Sequence, residues 1–435
     1  NQALARSVMN GTISAPLTDG SPSLRVSWDG VGTMNSSILL NSYFDSNSSY
    51  SLITNLTISS INPVIGSPEN PTVMAHAYNQ QPFLVGGSRI ATLDNASNGS
   101  ILRNQARISL IGPLTLGFEV QSDTLGAGTR GLANENIITD EDEPSSVALN
   151  NIFNVYGSTI SLVGDNPIDV KRENGYTGYK VGLIMTFEND DSAASANKYE
   201  LTNTGTITMG NKSTGMYSEG STTQGVTNAG TITSAGTSSV GVLFKPDASL
   251  GAGAVLGNTG NITLGDSSVG LYGENTATNY TTSNSGNITV GNNGIGMFGY
   301  AADVTGGTVK VGDKGVGLYS QGGNVNLAGG TIQTGASEAV GVYTVGSGQT
   351  VTNSGTTFNL GDTSVAIANA GSGNTINSTV SNVGLGTKNI YVYSNDATGT
   401  VNNSTSLSTT GGGNYGIYSA GTVTNSGNID FGNGI

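Results

Sequence analysis

Through the second half of the chain, apolar residues come in short alternating pairs. In TITMG, Ile207 and Met209 alternate with Thr206 and Thr208; in SVGLY, Val269 and Leu271 alternate with Gly270 and Tyr272. A two-residue period is that of a strand with one buried face. The pattern predicts two strands per unit, with Val269 and Leu271 pointing inward in the second. Between the strands lie turns such as GDS (Gly265 to Ser267) and GNN (Gly291 to Asn293), where Gly and Asn tolerate the positive φ of a tight corner. Helical apolar spacing is nowhere sustained for ten residues in this region.

The unit recurs. TNTGTITMGNKSTGMYSEG from Thr202 returns as GNTGNITLGDSSVGLYGEN from Gly257 and TSNSGNITVGNNGIGMFGY from Thr282. Weaker copies start at Thr227, Val304, Leu327, Val351 and Val401, with a degenerate one near NVGLGTKNIYVYS from Asn382. From Gly215 to Gly416 one marker glycine advances 201 residues in eight steps, about 25 per step. A period of this size means a stacked solenoid, in which each unit buries its apolar face only against its neighbours. We expect an all-β, right-handed parallel β-helix, the hand following the general rule for parallel crossovers. Ile207, Ile232, Ile262, Ile288, Val309 and Ile332 should form one interior row. Asn203, Asn228, Asn258, Asn284, Asn353 and Asn425 should form another. Stacked carboxamides can bond as a ladder, although Asn as a plain turn former would give the same sequence.

Composition narrows the class. Of 435 residues 66 are Gly and none is Cys, which removes disulfides and thiolate metal sites. A net charge of −14 argues against nucleic acid, which needs clustered Lys and Arg. No apolar run approaches the length of a membrane-spanning helix. Asn1 reads as a cut edge and Ile435 falls within a repeat, so a longer protein is expected.

The chain divides into a regular β-helix over 201–435 and a part with degenerate coils and long insertions over 1–200. The latter carries 10 Lys and Arg with 19 Asp and Glu, against 5 and 10 in the former. Strands are expected in NQARISLIGPLTLGFEV from Asn104, GSTISLVG from Gly157 and YKVGLIMTF from Tyr179. Insertions are expected from Gln121 to Ser146, Asp165 to Gly178 and Glu188 to Glu200. Because repeat insertions map to surface loops, any specific site is expected in the first 200 residues.

Candidate chemistry is sparse. Asp266, Asp313 and Asp362 recur at one turn, but Asn211, Asn292 and Gly432 take comparable places, so a turn former explains them better than catalysis. GDSS at Gly265 to Ser268 resembles a serine nucleophile sequence, but the only histidine, His76, is many coils away and a triad needs hydrogen-bond contact. The acidic run Asp140, Glu141, Asp142, Glu143 lacks the glycine-punctuated alternation of a calcium loop and reads as solvated. No catalytic residue, metal or cofactor is expected. Tyr217, Tyr272, Phe298, Tyr319, Tyr343 and Tyr418 share one outward position of the second strand, where regularity favours cross-strand packing over a sugar platform. The irregular aromatics Trp28, Tyr43, Phe44, Tyr50, Tyr78, Tyr176 and Tyr179 are the better ligand-binding candidates.

NSGNITVGNNGIGMF, NTGTITMGNKSTGMYSEG and LIGPLTLGFEVQSDTLGAGTRG are similar to the passenger regions of large type V autotransporters, especially fusobacterial outer-membrane adhesins. The likeness covers residues from about 200 onward and the 104–131 segment. It implies a β-helix displayed at the bacterial surface and joined to the outer membrane only through a C-terminal β-barrel beyond these residues. It further implies attachment to host glycans, host receptors or surface molecules of other bacteria. No binding motif carries over residue by residue. A surface polysaccharide-degrading enzyme and a purely structural spacer are the alternatives.

Overall fold

The computed structural model describes strand backbone between Thr12 and Leu201, and backbone with side chains over most of residues 202–432. Every regular element among the described residues is a β-strand. The chain forms two compact units, Asn1–Thr233 and Ser234–Ile435, and residues 202–430 form a parallel β-solenoid.

In the second unit each coil contributes three strands, one more than the sequence pattern predicts. A first sheet takes Val240–Pro246, Val269–Gly273, Ile295–Gly299, Val316–Ser320, Val340–Thr344, Val365–Asn369, Ile390–Ser394 and Tyr415–Ser419, all parallel neighbours in that order. A second sheet runs from Ala254–Asn258 through Tyr280–Asn284 and Ala301–Val304 to Thr422–Asn425. A third stacks Asn261–Leu264, Asn287–Thr289, Thr308–Lys310, Thr331–Gln333 and Thr357–Asn359. Second-sheet strands escape a hydrophobicity reading because their inward residues are often polar. In Tyr280–Asn284 the buried positions are Tyr280, Thr282 and Asn284.

The third sheet carries the expected interior row. Ile262 pairs with Ile288, then Val309, Ile332 and Phe358, advancing 26, 21, 23 and 26 residues. Ile207, Ile232, Ile262, Ile288, Val309 and Ile332 are all buried. Burying such a side chain stabilises by roughly 1.5–3 kcal/mol, so the row is a main source of cohesion.

The first-sheet strands correct the expected phase. In Val269–Gly273 the two consecutive residues Gly270 and Leu271 are buried, whereas Val269 and Tyr272 are half-exposed. Glycine causes the shift. A Cβ on Gly270 would lie 2.5 Å from Cγ2 of Ile288, and one on Gly317 would lie 2.9 Å from Cγ2 of Ile332. The missing side chains are the space into which the Ile row packs, so the neighbouring Leu also turns inward and Val turns out.

Turn chemistry is also redistributed. Positive φ falls on Ser238, Ser267, Asn293, Lys314, Glu338, Thr363 and Lys388, between 53° and 59°, and not on the opening Gly265, Gly291, Gly312, Gly335, Gly361 or Gly386. These residues form a row of left-handed corners linked from coil to coil. Ser267 N donates to Asn292 O at 2.8 Å, Asn293 N to Asp313 O at 2.9 Å and Thr363 N to Thr387 O at 2.9 Å.

In the first unit, Ser23–Trp28, Ile53–Ile58, Ser88–Leu93, Thr115–Val120, Asn150–Val155, Lys180–Met185 and Ser213–Gly220 are successive parallel neighbours. Thr12–Ser14 pairs antiparallel with Ser23–Trp28. The strands expected around Arg107 and Lys180 form. The stretch Gln121 to Ser146 is less of an insertion than expected, since Gly131–Asn134 and Ile137–Asp140 pair into the coils on both sides. Near GSTISLVG the strand is Asn150–Val155; GSTISLVG itself and Asp165 to Gly178 lie outside the described residues.

Candidate functional site

Among the described residues, the recurring Asn and Asp side chains act in coil-to-coil ladders. Asn203 Nδ2 donates to Asn228 Oδ1 at 2.9 Å, Asn258 to Asn284 at 2.9 Å and Asn403 to Asn425 at 2.7 Å. The same amides also reach the corner carbonyl two residues on, as from Asn258 to Gly260 O at 3.2 Å and Asn284 to Gly286 O at 2.8 Å. Ladder and turn former are therefore one arrangement. Val304 and Leu327 interrupt the row between Asn284 and Asn353. Asn403 belongs to it without being legible as a member, because no Gly follows two residues later.

The recurring carboxylates form a second ladder. Asp266 Oδ1 accepts from Asn292 N at 2.7 Å, Asn292 Oδ1 from Asp313 N at 2.9 Å, and Asp313 Oδ1 from Ser337 N at 3.2 Å. Asp362 Oδ1 accepts from Thr387 N at 3.3 Å. A third ladder lies behind it. Ser364 N donates to Asn389 Oδ1 at 3.0 Å and Asn389 N to Asn414 Oδ1 at 2.7 Å. Ser268 of GDSS is buried, accepts from Ser239 N at 3.1 Å and donates to Asp266 O at 3.2 Å, which is a structural role.

Among the described residues, two carboxyl groups are electrostatically unusual. Burial pushes the Asp396 carboxyl up, but bonds from Asn374 N at 3.0 Å, Thr398 Oγ1 at 2.7 Å and Thr398 N at 2.9 Å outweigh it and hold its pKa below the usual range. Asp303, on the outer side of the second sheet, is raised by partial burial. No group of three or more His, Asp or Glu among the described residues could hold a metal ion.

The outer faces differ in character. Outward positions of the third sheet are Asn261, Asn287, Thr308, Thr331 and Thr357 along one row, with Thr263, Thr289, Lys310, Gln333 and Asn359 along the other. The first sheet instead presents Val269, Ile295, Val316 and Val340 beside Tyr272, Phe298, Tyr319 and Tyr343, all half-exposed and none charged. Adjacent rings lie 4.9 to 5.2 Å apart, and Tyr272 and Phe298 are within 3° of parallel. Phe298 and Tyr319 are tilted by 32° and Tyr319 and Tyr343 by 54°, so only Tyr272 and Phe298 cover one another's faces. Ala368 breaks the row, which resumes with Tyr393 stacked on Tyr418 at 5.2 Å. Tyr217 departs from it, being fully buried.

Of the ligand-binding candidates, Trp28 ends the strand Ser23–Trp28, and its side chain lies outside the described residues, as do Tyr43, Phe44, Tyr50, Tyr78, Tyr176 and Tyr179. His76 ends Thr72–His76, and Asp140 ends Ile137–Asp140, with Glu141 to Glu143 outside the described residues. Comparison with known proteins adds no likeness: no family model, no curated protein and no solved structure matches the chain.

Proposed function

We propose that the chain is part of a bacterial surface adhesin, an autotransporter passenger attached to the outer membrane through a β-barrel beyond these residues. It attaches the cell to host glycans or receptors, or to other bacteria, by non-covalent recognition on a stiff β-solenoid, without catalysis or a cofactor. The observation that carries this reading is the contrast between the outer faces. From Val269–Gly273 to Val340–Thr344 the first sheet keeps an uncharged, apolar and aromatic outer surface, whereas the third is clothed mostly in Asn and Thr, with Lys310 and Gln333. Apolar surface left at the exterior of a soluble protein favours contact with a partner. The recurring carboxylates of the described coils are taken up in turn ladders, which weakens the alternative of a polysaccharide-degrading enzyme, since that chemistry needs convergent acids. Insertion loops of the first 200 residues remain the expected place for specificity.

The test is binding of the purified chain to a broad glycan array and to intact host and bacterial cells, with free galactose and N-acetylgalactosamine as competitors. Saturable binding to either supports an adhesin, and sugar competition identifies it as a lectin. Absence of binding to glycans and cells alike would leave a spacer.

A further inference from the structure

The third wall of the second unit is interrupted at one place. Thr357–Asn359 ends one sheet, and Asn382–Leu385 begins a separate one with Ser406–Thr409 and Ile429–Asp430. The same two coils stay joined elsewhere. Val365–Asn369 pairs with Ile390–Ser394 in the first sheet, and the second sheet continues from Thr350–Asn353 to Thr375–Ser378 and Thr400–Asn403. Both ends of the interruption are also fastened, by Thr379 N to Asn353 O at 2.8 Å and by Thr363 N to Thr387 O at 2.9 Å. The result is a short seam, closed at each end.

Its cause lies across the interior. Gly270, Gly296, Gly317 and Gly341 occupy one inward position of the first sheet, followed by Ala366 and then Tyr391. Where the row is glycine, the opposite wall packs in; a Cβ on Gly341 would lie 2.8 Å from Cε1 of Phe358. Tyr391 instead fills that space with a fully buried ring set edge-on to Phe358 at 6.2 Å. Its hydroxyl reaches the far corner, 2.6 Å from Ser378 Oγ and 3.3 Å from Asn353 Nδ2. Ser378 stands in the asparagine row between Asn353 and Asn403, and its small side chain leaves room for that hydroxyl. The ring thus spans the interior beneath the seam.

We infer that Tyr391 props open the third wall between Thr357–Asn359 and Asn382–Leu385, making this seam a built-in point of local opening in an otherwise continuous ladder. No backbone pairing joins its two lips, and Gly384 is exposed with nothing within 4 Å of where its Cβ would stand. A wall with fewer backbone bonds opens at lower free energy than its neighbours.

Hydrogen exchange of the full 435-residue chain, followed by mass spectrometry, tests this. Thr357 N is bonded to Gly330 O on the intact side, so the amides that face the seam are those of Phe358, Asn382 and Gly384. They should exchange on the order of tenfold faster than those of Thr331–Gln333 and Thr375–Ser378. Tyr391→Gly, which restores the glycine row, should slow them to the rate of those neighbours. Tyr391→Phe, which keeps the ring, should leave them fast. Equal protection of seam and neighbours in the wild-type protein overturns the inference, whether or not Tyr391→Gly folds. So does a folded Tyr391→Gly whose seam exchanges as before.

Discussion

Asn258 and Asn284 sit one above the other on successive coils, the amide of the first donating to the carboxamide oxygen of the second at 2.9 Å. Both side chains are buried, and Asn284 also serves the corner carbonyl of Gly286. Asn284→Ala removes the acceptor for Asn258 and leaves polar groups buried without their partner. We expect a loss of about 1–3 kcal/mol in a urea unfolding titration. An unchanged midpoint would mean that the corner bond alone sets the stability of this row.

The glycine row gives a steric prediction. In Gly317→Ala the new Cβ would lie 2.5 Å from Gly341 O and 2.9 Å from Ile332 Cγ2. Backbone on one side and a packed side chain on the other leave little room to relax, so a loss of roughly 1–3 kcal/mol is expected. Gly384→Ala is the control, since open space surrounds that position. Thermal unfolding of the two variants should separate them clearly.

Thr363 occupies a left-handed corner at φ 56°, a conformation costly for a β-branched residue. Thr363→Asn keeps a polar side chain and suits that region better. An increase in stability of roughly 0.5–1 kcal/mol is expected by denaturant titration; a decrease would show that the threonine makes a compensating contact.

Asp396 should make the solenoid sensitive to acid. Its folded pKa is lowered, because bonds from Asn374 and Thr398 outweigh the upward push of burial. A lowered folded pKa contributes stability above the unfolded value, about 3.9, and that contribution is lost as pH falls toward the folded value. Unfolding midpoints at pH 7 and pH 3 should therefore converge for Asp396→Asn relative to the wild-type protein.

Asp303 should act with the opposite sign. Partial burial raises its folded pKa, so its contribution is most favourable when protonated and falls as pH rises through the folded value. Asp303→Asn is expected to raise stability at pH 7 and to have little effect near pH 3, as measured by the same titrations.

Of the fold, what was legible came from residues whose inward neighbours are apolar. Ile262 and Ile288 declared the third sheet because alternation with Asn, Thr or Gly is a strong signal. Tyr280–Asn284 declared nothing, because the residues that face the interior include the polar Thr282 and Asn284, the latter satisfied there by hydrogen bonding. Val269 was assigned to the wrong face because strict alternation cannot anticipate two successive inward residues. Of the candidate surface, the aromatic row was visible from Tyr272 to Tyr343, but the stacking of its rings was not. Tyr391 and Tyr393 both lay within a degenerate copy, yet one fills the interior and the other stacks outside.

The sequence alone determined that this is a parallel solenoid with coils of about 25 residues, because a unit that short, carrying only strand-like apolar alternation, buries its inner face by stacking on its neighbours. It also placed the turns between the strands, but not which residue of each turn takes the left-handed conformation. Only the tertiary structure decided which direction each residue of a coil faces, because that depends on the next coil. The glycine of one strand leaves the space that the isoleucine of another fills. The carboxylate of one turn finds its donor in the turn that follows, and a tyrosine in place of a glycine parts two strands that the repeat would otherwise have joined.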